Sequence, residues 1–150
     1  MPSTYTNLLY HAVFSTKERR PFINPELRDE LHPYIGGIIL DAGGEPIEIG
    51  GVADHVHILV KLPATLAVAD ALRLIKANSS KWVGERPNLV RIFAWQTGYA
   101  AFTVSKSQVD PVREYIQNQE RHHRRKTFKQ ELVSLLKKND IEYDERYLWD

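Results

Sequence analysis

Two histidines separated by one residue, His55 and His57, stand inside the run DHVHILV. Side chains of a strand alternate between faces, so these two share one face while Val56, Ile58, Val60 and Leu62 share the other. Neutral imidazole is a common ligand for divalent metals, and two at this spacing can chelate one ion. A bare His-x-His also describes a half-exposed strand with two solvent-facing histidines. The chain has no cysteine, and two histidines cannot close a four-ligand zinc site. The expected site is therefore open, with water and a phosphate oxygen completing the shell, as Lewis-acid phosphoryl chemistry requires.

A second pair lies four residues apart, Tyr115 and Gln119, and that spacing on a helix gives both one face. A tyrosine hydroxyl is a poor nucleophile at its free pKa near 10. It becomes competent when a base takes its proton or a cation favours the phenolate. Gln119 offers a carbonyl oxygen as a third, harder ligand, which suits Mg²⁺ or Mn²⁺ better than zinc. The alternative is that Tyr115 covers a core beside Val112 and Ile116, as helical tyrosines commonly do.

The elements that must position these residues follow from periodicity. Tyr5 to Ser15 is apolar on both faces and reads as a central strand. Asn24-Pro25 caps a helix carrying Leu27, Leu31, Ile35 and Ile39, which ends near Gly43-Gly44. Pro46 to Val52 and His55 to Leu62 are strands, with a bend or bulge allowed at Gly50-Gly51. Val68 to Trp82 is an amphipathic helix, and 89–96 a short strand or loop. Tyr99 to Ser105 is a strand, and Asp110-Pro111 opens a helix running through Gln119. Thr127 to Lys138 is a final helix with Phe128, Leu132, Leu135 and Leu136 on its apolar side. The order predicts an α+β, ferredoxin-like split βαβ fold: a mostly antiparallel sheet with helices on one face, plus C-terminal helices. The other face is expected to stay open to solvent, a ligand or a second copy.

A length of 150 residues suits one domain, here a core of about 5–120 and a helical extension over 121–150. With 43% hydrophobic and 26% charged residues, the composition is that of a globular protein and not of a disordered one. The net charge of +1 conceals basic clusters at Lys17, Arg19 and Arg20 and at Arg121, Arg124, Arg125 and Lys126. Acidic residues follow them in the last stretch. Such clusters suit phosphate backbones, or form a solvated face balanced by the acidic tail. No signal peptide or membrane span is evident, and the expected location is the cytoplasm.

Several segments occur together in one order: YHAVFSTKERRP at 10–21, GVADHVHILVKLP at 51–63, IKANSSKW at 75–82, WQTGYAAFTVS at 95–105 and VREYIQNQ at 112–119. Together they resemble the single-tyrosine HUH transposases of small bacterial insertion sequences, a group that includes the REP-associated tyrosine transposases. The resemblance spans about residues 5–120. It implies His55, His57 and Gln119 as ligands of Mg²⁺ or Mn²⁺, and Tyr115 as a nucleophile that forms a 5′-phosphotyrosine and frees a 3′-hydroxyl. It further implies single-stranded hairpin ends of an insertion element as partner, and a homodimer in which one chain's tyrosine helix completes the other's histidine site. Val52-Ala53-Asp54 departs from the family, where a Met-Pro pair is common, and the extension after residue 120 carries no inherited role. The alternatives are a related replication initiator, often longer and with two tyrosines, and a non-catalytic single-strand binder on the same fold. The last leaves His55, His57, Tyr115 and Gln119 without a purpose.

Overall fold

The computed structural model describes residues 3–87 and 92–149. Four strands, β1 (Leu8–Ser15), β2 (Glu45–Val52), β3 (His55–Leu62) and β4 (Ala100–Thr103), form one sheet in the order β2-β3-β1-β4. Every neighbouring pair is antiparallel. Four helices lie near the expected places, α1 (Pro25–Asp41), α2 (Val68–Gly84), α3 (Val109–Gln117) and α5 (Phe128–Lys138), and a short unexpected one, α4 (Gln119–His122), follows α3. This is the split βαβ arrangement with an added helical C-terminus.

The sequence motifs account for the helix starts. Asn24 accepts a hydrogen bond from the Leu27 amide at 2.7 Å, with Pro25 in the first helical position, which satisfies an otherwise orphaned donor. Thr127 and Gln130 form a reciprocal capping box at the start of α5. The α3 helix begins at Val109, two residues before the expected Pro111, after a short 3-10 turn over Lys106–Gln108, so Asp110 lies inside the helix and is not its cap. It breaks at Asn118, so the expected single helix through Gln119 is two pieces. Of the segment 89–96, residues 89–91 lie outside the described residues, and Trp95 makes an isolated bridge to Thr16.

The period-two pattern sorts the sheet into two faces. Ala12, Phe14, Val56, Ile58, Val60 and Leu62 pack beneath α1 and α2, against Leu31, Ile35, Leu72 and Ile75. The opposite face, expected to be open, is covered by the chain's own α3 and α5. Val13 and Phe102 meet Phe128, Leu132 and Leu136 of α5, while Leu9 and Leu59 meet Val109 and Ile116 of α3. The reason is that β1 is apolar on both faces, and its second face must also leave water. Trp95 belongs to the first core: it is 8% exposed and its indole donates to Ser79 Oγ at 2.9 Å. Trp82 stacks on Tyr34 at 4.5 Å between ring centroids.

The bulge in β2 falls between Pro46 and Glu48, and not at the glycines. Gly50 serves a different purpose. A Cβ at Gly50 would lie 2.4 Å from the Ile116 carbonyl oxygen, so only glycine lets α3 sit this close to the sheet. Gly50→Ala is therefore expected to push α3 outward and to cost about 1–3 kcal/mol, the usual range for overpacking. Urea unfolding checks this; an unchanged midpoint would show that α3 yields freely.

Candidate metal centre and nucleophile

The cluster is built where β3, α3, α4 and α5 converge. Strand β3 sends His55 and His57 to the face under α5, and both are fully buried. Phe128 at the start of α5 stacks on the His55 ring at 3.9 Å between centroids. The expectation of two histidines on an uncovered face is thus corrected: the face is right, but the C-terminal helices close it. Gln119, also buried, places Oε1 3.1 Å from His55 Nε2. Its Nε2 donates to the Tyr115 carbonyl at 3.3 Å, so the two residues remain adjacent across the Asn118 break. The Tyr115 ring lies 5.6 Å from that of His57. All four residues singled out for chemistry therefore meet within one chain.

The centre of the cluster is a residue the sequence reading passed over, Glu131 of α5. Its Oε1 lies 3.0 Å from His57 Nε2, 3.3 Å from His55 Nε2 and 3.1 Å from His123 Nε2. Its Oε2 accepts hydrogen bonds from the Tyr115 hydroxyl and, at 3.1 Å, from Gln119 Nε2. Glu131 is 1% exposed. A signal was present: Phe128, Glu131, Leu132 and Leu135 form one helical stripe, and a carboxylate on an apolar stripe must be paired. His123 stands among the basic residues at 121–126 in sequence. His11, on the inner face of β1, was missed as a polar member of an apolar strand.

Each imidazole is held from behind. His55 Nδ1 donates to Asp54 Oδ1 at 2.8 Å, and His57 Nδ1 lies 2.8 Å from His11 Nε2. A carboxylate on the rear nitrogen fixes the tautomer that leaves Nε2 free. Asp54, one of the family-divergent positions, holds the His55 ring from behind. The donor set among the described residues, with His55, His57 and Glu131 converging within 4.8 Å, is compatible with a metal site. Their mutual spacings near 3 Å are hydrogen-bond distances, and ligands of one small ion stand about as far apart.

The expected DNA-contacting residues lie at the surface. Lys17, Arg19, Arg20, Arg121, Arg124 and Arg125 are exposed and Lys126 is half-buried. Arg20 pairs with Glu18 at 2.9 Å, and Arg19 lies over Trp149 at 4.3 Å. A groove of about 620 Å³ runs past Tyr115, bordered by His11, Phe102, Ser105, Gln108, Val112 and Lys138.

The electrostatics show what the ion-free cluster does to its members. Burial and the Glu131 carboxylate push the Tyr115 hydroxyl well above the usual tyrosine range, so it is held protonated. Burial disfavours the Glu131 carboxylate, but hydrogen bonds from His123, His55 and His57 outweigh it and hold its pKa far below normal. Burial opposes charge on His55 too, yet Asp54 and Glu131 raise it to about 9. Burial lowers His57 to about 4, His11 to about 3 and the separate His32 to about 4. For these three the unfolded chain binds protons near 6.5 while the folded one does not, so stability falls as pH drops from about 6.5 to 4. For His55 the folded state holds the proton, so its contribution is lost as pH rises from about 6.5 to 9. Chelator-treated protein should therefore show its highest melting temperature near pH 6.5, with a decline on both sides. A profile flat from pH 4 to 9 would contradict these assignments.

The family model of IS200-like transposases matches residues 4–119. The ISDra2 transposase TnpA of Deinococcus radiodurans is 26% identical over 117 residues, covering 75% of this chain and 84% of the relative. The transposase for insertion sequence element IS200 of Salmonella typhimurium is 26% identical over 121 residues, covering 77% and 79%. Among solved structures, a candidate transposase from Deinococcus radiodurans R1 superposes with a TM-score of 0.62 at 23% identity, covering 79% of this chain and 95% of that one. A REP-associated tyrosine transposase bound to a REP hairpin superposes with a TM-score of 0.61 at 16% identity, covering 82% and 73%. At those identities the structural matches speak for the fold, and the sequence matches for the family. The chain belongs to the family of IS200-like transposases, enzymes of DNA strand cleavage and transfer.

Proposed function

We propose that this chain cleaves and rejoins single-stranded DNA at hairpin ends of an insertion element, through a 5′-phosphotyrosine on Tyr115 and with Mg²⁺ or Mn²⁺. The observation that carries the reading is the meeting of the Tyr115 hydroxyl with His55, His57 and Gln119 in one cluster, from positions 64 residues apart in sequence. Two solvent-facing histidines and a core tyrosine have no need of that meeting.

His55 Nε2, His57 Nε2 and Gln119 Oε1 would hold the cation. A divalent ion there supplies Lewis-acid polarisation of the scissile phosphate and offsets its developing charge. The chain's own groups do the rest. Tyr115 attacks phosphorus, the tyrosyl O–P bond forms and the bond to the 3′ oxygen breaks. Glu131 accepts the hydrogen bond of the Tyr115 hydroxyl and aims it; the phenolic proton is given up to water as the O–P bond forms, and the departing 3′ oxygen takes a proton back from water. The phosphotyrosine preserves the phosphodiester bond energy, and reversal rejoins strands without ATP.

The groove beside Tyr115 is the approach for a single strand, and the basic residues at 17–20 and 121–126 serve its backbone. A relative of the same fold was solved with a REP hairpin, in line with a hairpin as substrate. Among the described residues no helix is long and apolar enough to cross a membrane, and we place the activity in the cytoplasm with its DNA. The functional unit proposed is a homodimer, since β2 and β4 leave sheet edges free to pair. Exchange of α3 between two copies would rebuild the same cluster from shared parts, whereas here Tyr115 lies beside its own chain's His57. Mixing Tyr115→Phe protein with a His55→Ala/His57→Ala variant distinguishes the two: shared sites regain cleavage, and sites within one chain do not.

The primary test uses labelled single strands from the flanks of the gene. Wild type should form a denaturation-resistant adduct that chelator abolishes, and Tyr115→Phe should lose the adduct while still binding DNA. An adduct of undiminished yield with Tyr115→Phe would refute the nucleophile. Full activity in excess chelator would refute the metal.

A further inference from the structure

We infer that the C-terminal extension completes the metal site: His123 and Glu131 are additional ligands, making the centre a three-histidine, one-carboxylate site with Gln119, selective for transition-metal ions over Mg²⁺. The inference rests on the metal reading above and extends it to residues beyond the 4–119 that match the family.

Three imidazoles share one construction. His55 Nδ1 is bonded to Asp54 at 2.8 Å, His57 Nδ1 to His11 at 2.8 Å, and His123 Nδ1 to the Lys126 carbonyl at 2.7 Å. The Lys126 carbonyl can only accept, so His123 carries its proton on Nδ1 and presents a bare Nε2 lone pair. That Nε2 lies 3.0 Å from Gln119 Oε1 and 3.1 Å from Glu131 Oε1, within the same ring of atoms as the two β3 histidines. All three Nε2 atoms thus face one carboxylate oxygen, at 3.0–3.3 Å. His123 thus presents a bare Nε2 outright, and His55 and His57 do so in the tautomers that carry the proton on Nδ1; a cation among them would accept all three lone pairs at once.

The neighbouring His122 does not share this construction. Its Nε2 is 3.2 Å from Glu131 Oε2 but off the line of a hydrogen bond, and it has no other partner. The local sequence explains the delivery of both new ligands. The turn at Arg124–Lys126 folds back on His123, and the Thr127 capping box starts α5 so that Glu131 falls one turn in, over the histidines. Ligand chemistry then sets the metal: imidazole-rich sets with one carboxylate favour Mn²⁺, Co²⁺ or Zn²⁺, while Mg²⁺ favours oxygen ligands and its own waters.

Co²⁺ is a suitable probe. The whole chain should bind one Co²⁺, X-ray absorption should count three imidazoles around it, and millimolar Mg²⁺ should fail to displace it. His123→Gln should reduce the count to two, and His123→Gln and Glu131→Gln should each weaken binding about tenfold or more, the scale on which even supporting groups act. The count on wild type needs no variant to fold. Two imidazoles in wild type, with unchanged affinity in both variants, would overturn the inference and leave the His55–His57 site standing. Binding that survives His55→Ala/His57→Ala, or no binding by wild type, would overturn the metal reading itself and this inference with it.

Discussion

A carboxylate buried to 1% exposure, Glu131, is the constraint on which the rest of the second face depends. A buried charge is tolerated only when paired and hydrogen-bonded, and removing one partner of such a pair costs about 3–5 kcal/mol. That is a large share of the roughly 5–15 kcal/mol by which a domain is stable. Glu131 therefore dictates where its partners stand. His55 and His57 come from β3, Gln119 from α4, His123 from the cap just after it, and Tyr115 from α3. One side chain ties four elements together. The apolar contacts of α3 and α5 flank it on either side and keep water out.

The same arrangement ties stability to chemistry. Burial and the hydrogen bonds within the cluster keep Tyr115 protonated and Glu131 charged. The polar centre lies at the seam between the two apolar clusters of the second face, with the groove past Tyr115 as its approach. The core beneath α1 and α2 takes no part in this and acts as a rigid support for β3.

Much of this was legible in the residues. The four strands and the helices α1, α2, α3 and α5 follow from periods of 2 and 3.6, and the capping signal at Asn24 marks its helix start correctly, whereas Asp110 lies inside α3 and does not cap it. His-x-His gave the shared face, since a strand admits only one outcome at that spacing. Closure of that face was harder to see. It depends on α5 docking across the sheet, a long-range event that local pattern does not encode, although the two-sided apolarity of β1 demanded some cover. Glu131 and His123 were legible only in part: a carboxylate on an apolar stripe announces a partner but does not name it. His11 gave still less, because a lone histidine in an apolar strand is indistinguishable from ordinary packing until its neighbour across the sheet is known. The break at Asn118 leaves no sequence mark beyond an ordinary asparagine, and it changed nothing at Tyr115 and Gln119, whose contact spans it.

The central claim is that His55, His57 and their partners are a metal centre placed beside the nucleophile Tyr115, and not a metal-free polar knot. The most direct measurement is anomalous X-ray scattering from crystals of the whole chain grown with Mn²⁺. The account predicts one strong manganese peak among His55 Nε2, His57 Nε2 and Gln119 Oε1, next to the Tyr115 hydroxyl. Crystals with no anomalous density there, and with the imidazoles still bonded directly to Glu131 at saturating Mn²⁺, would contradict it.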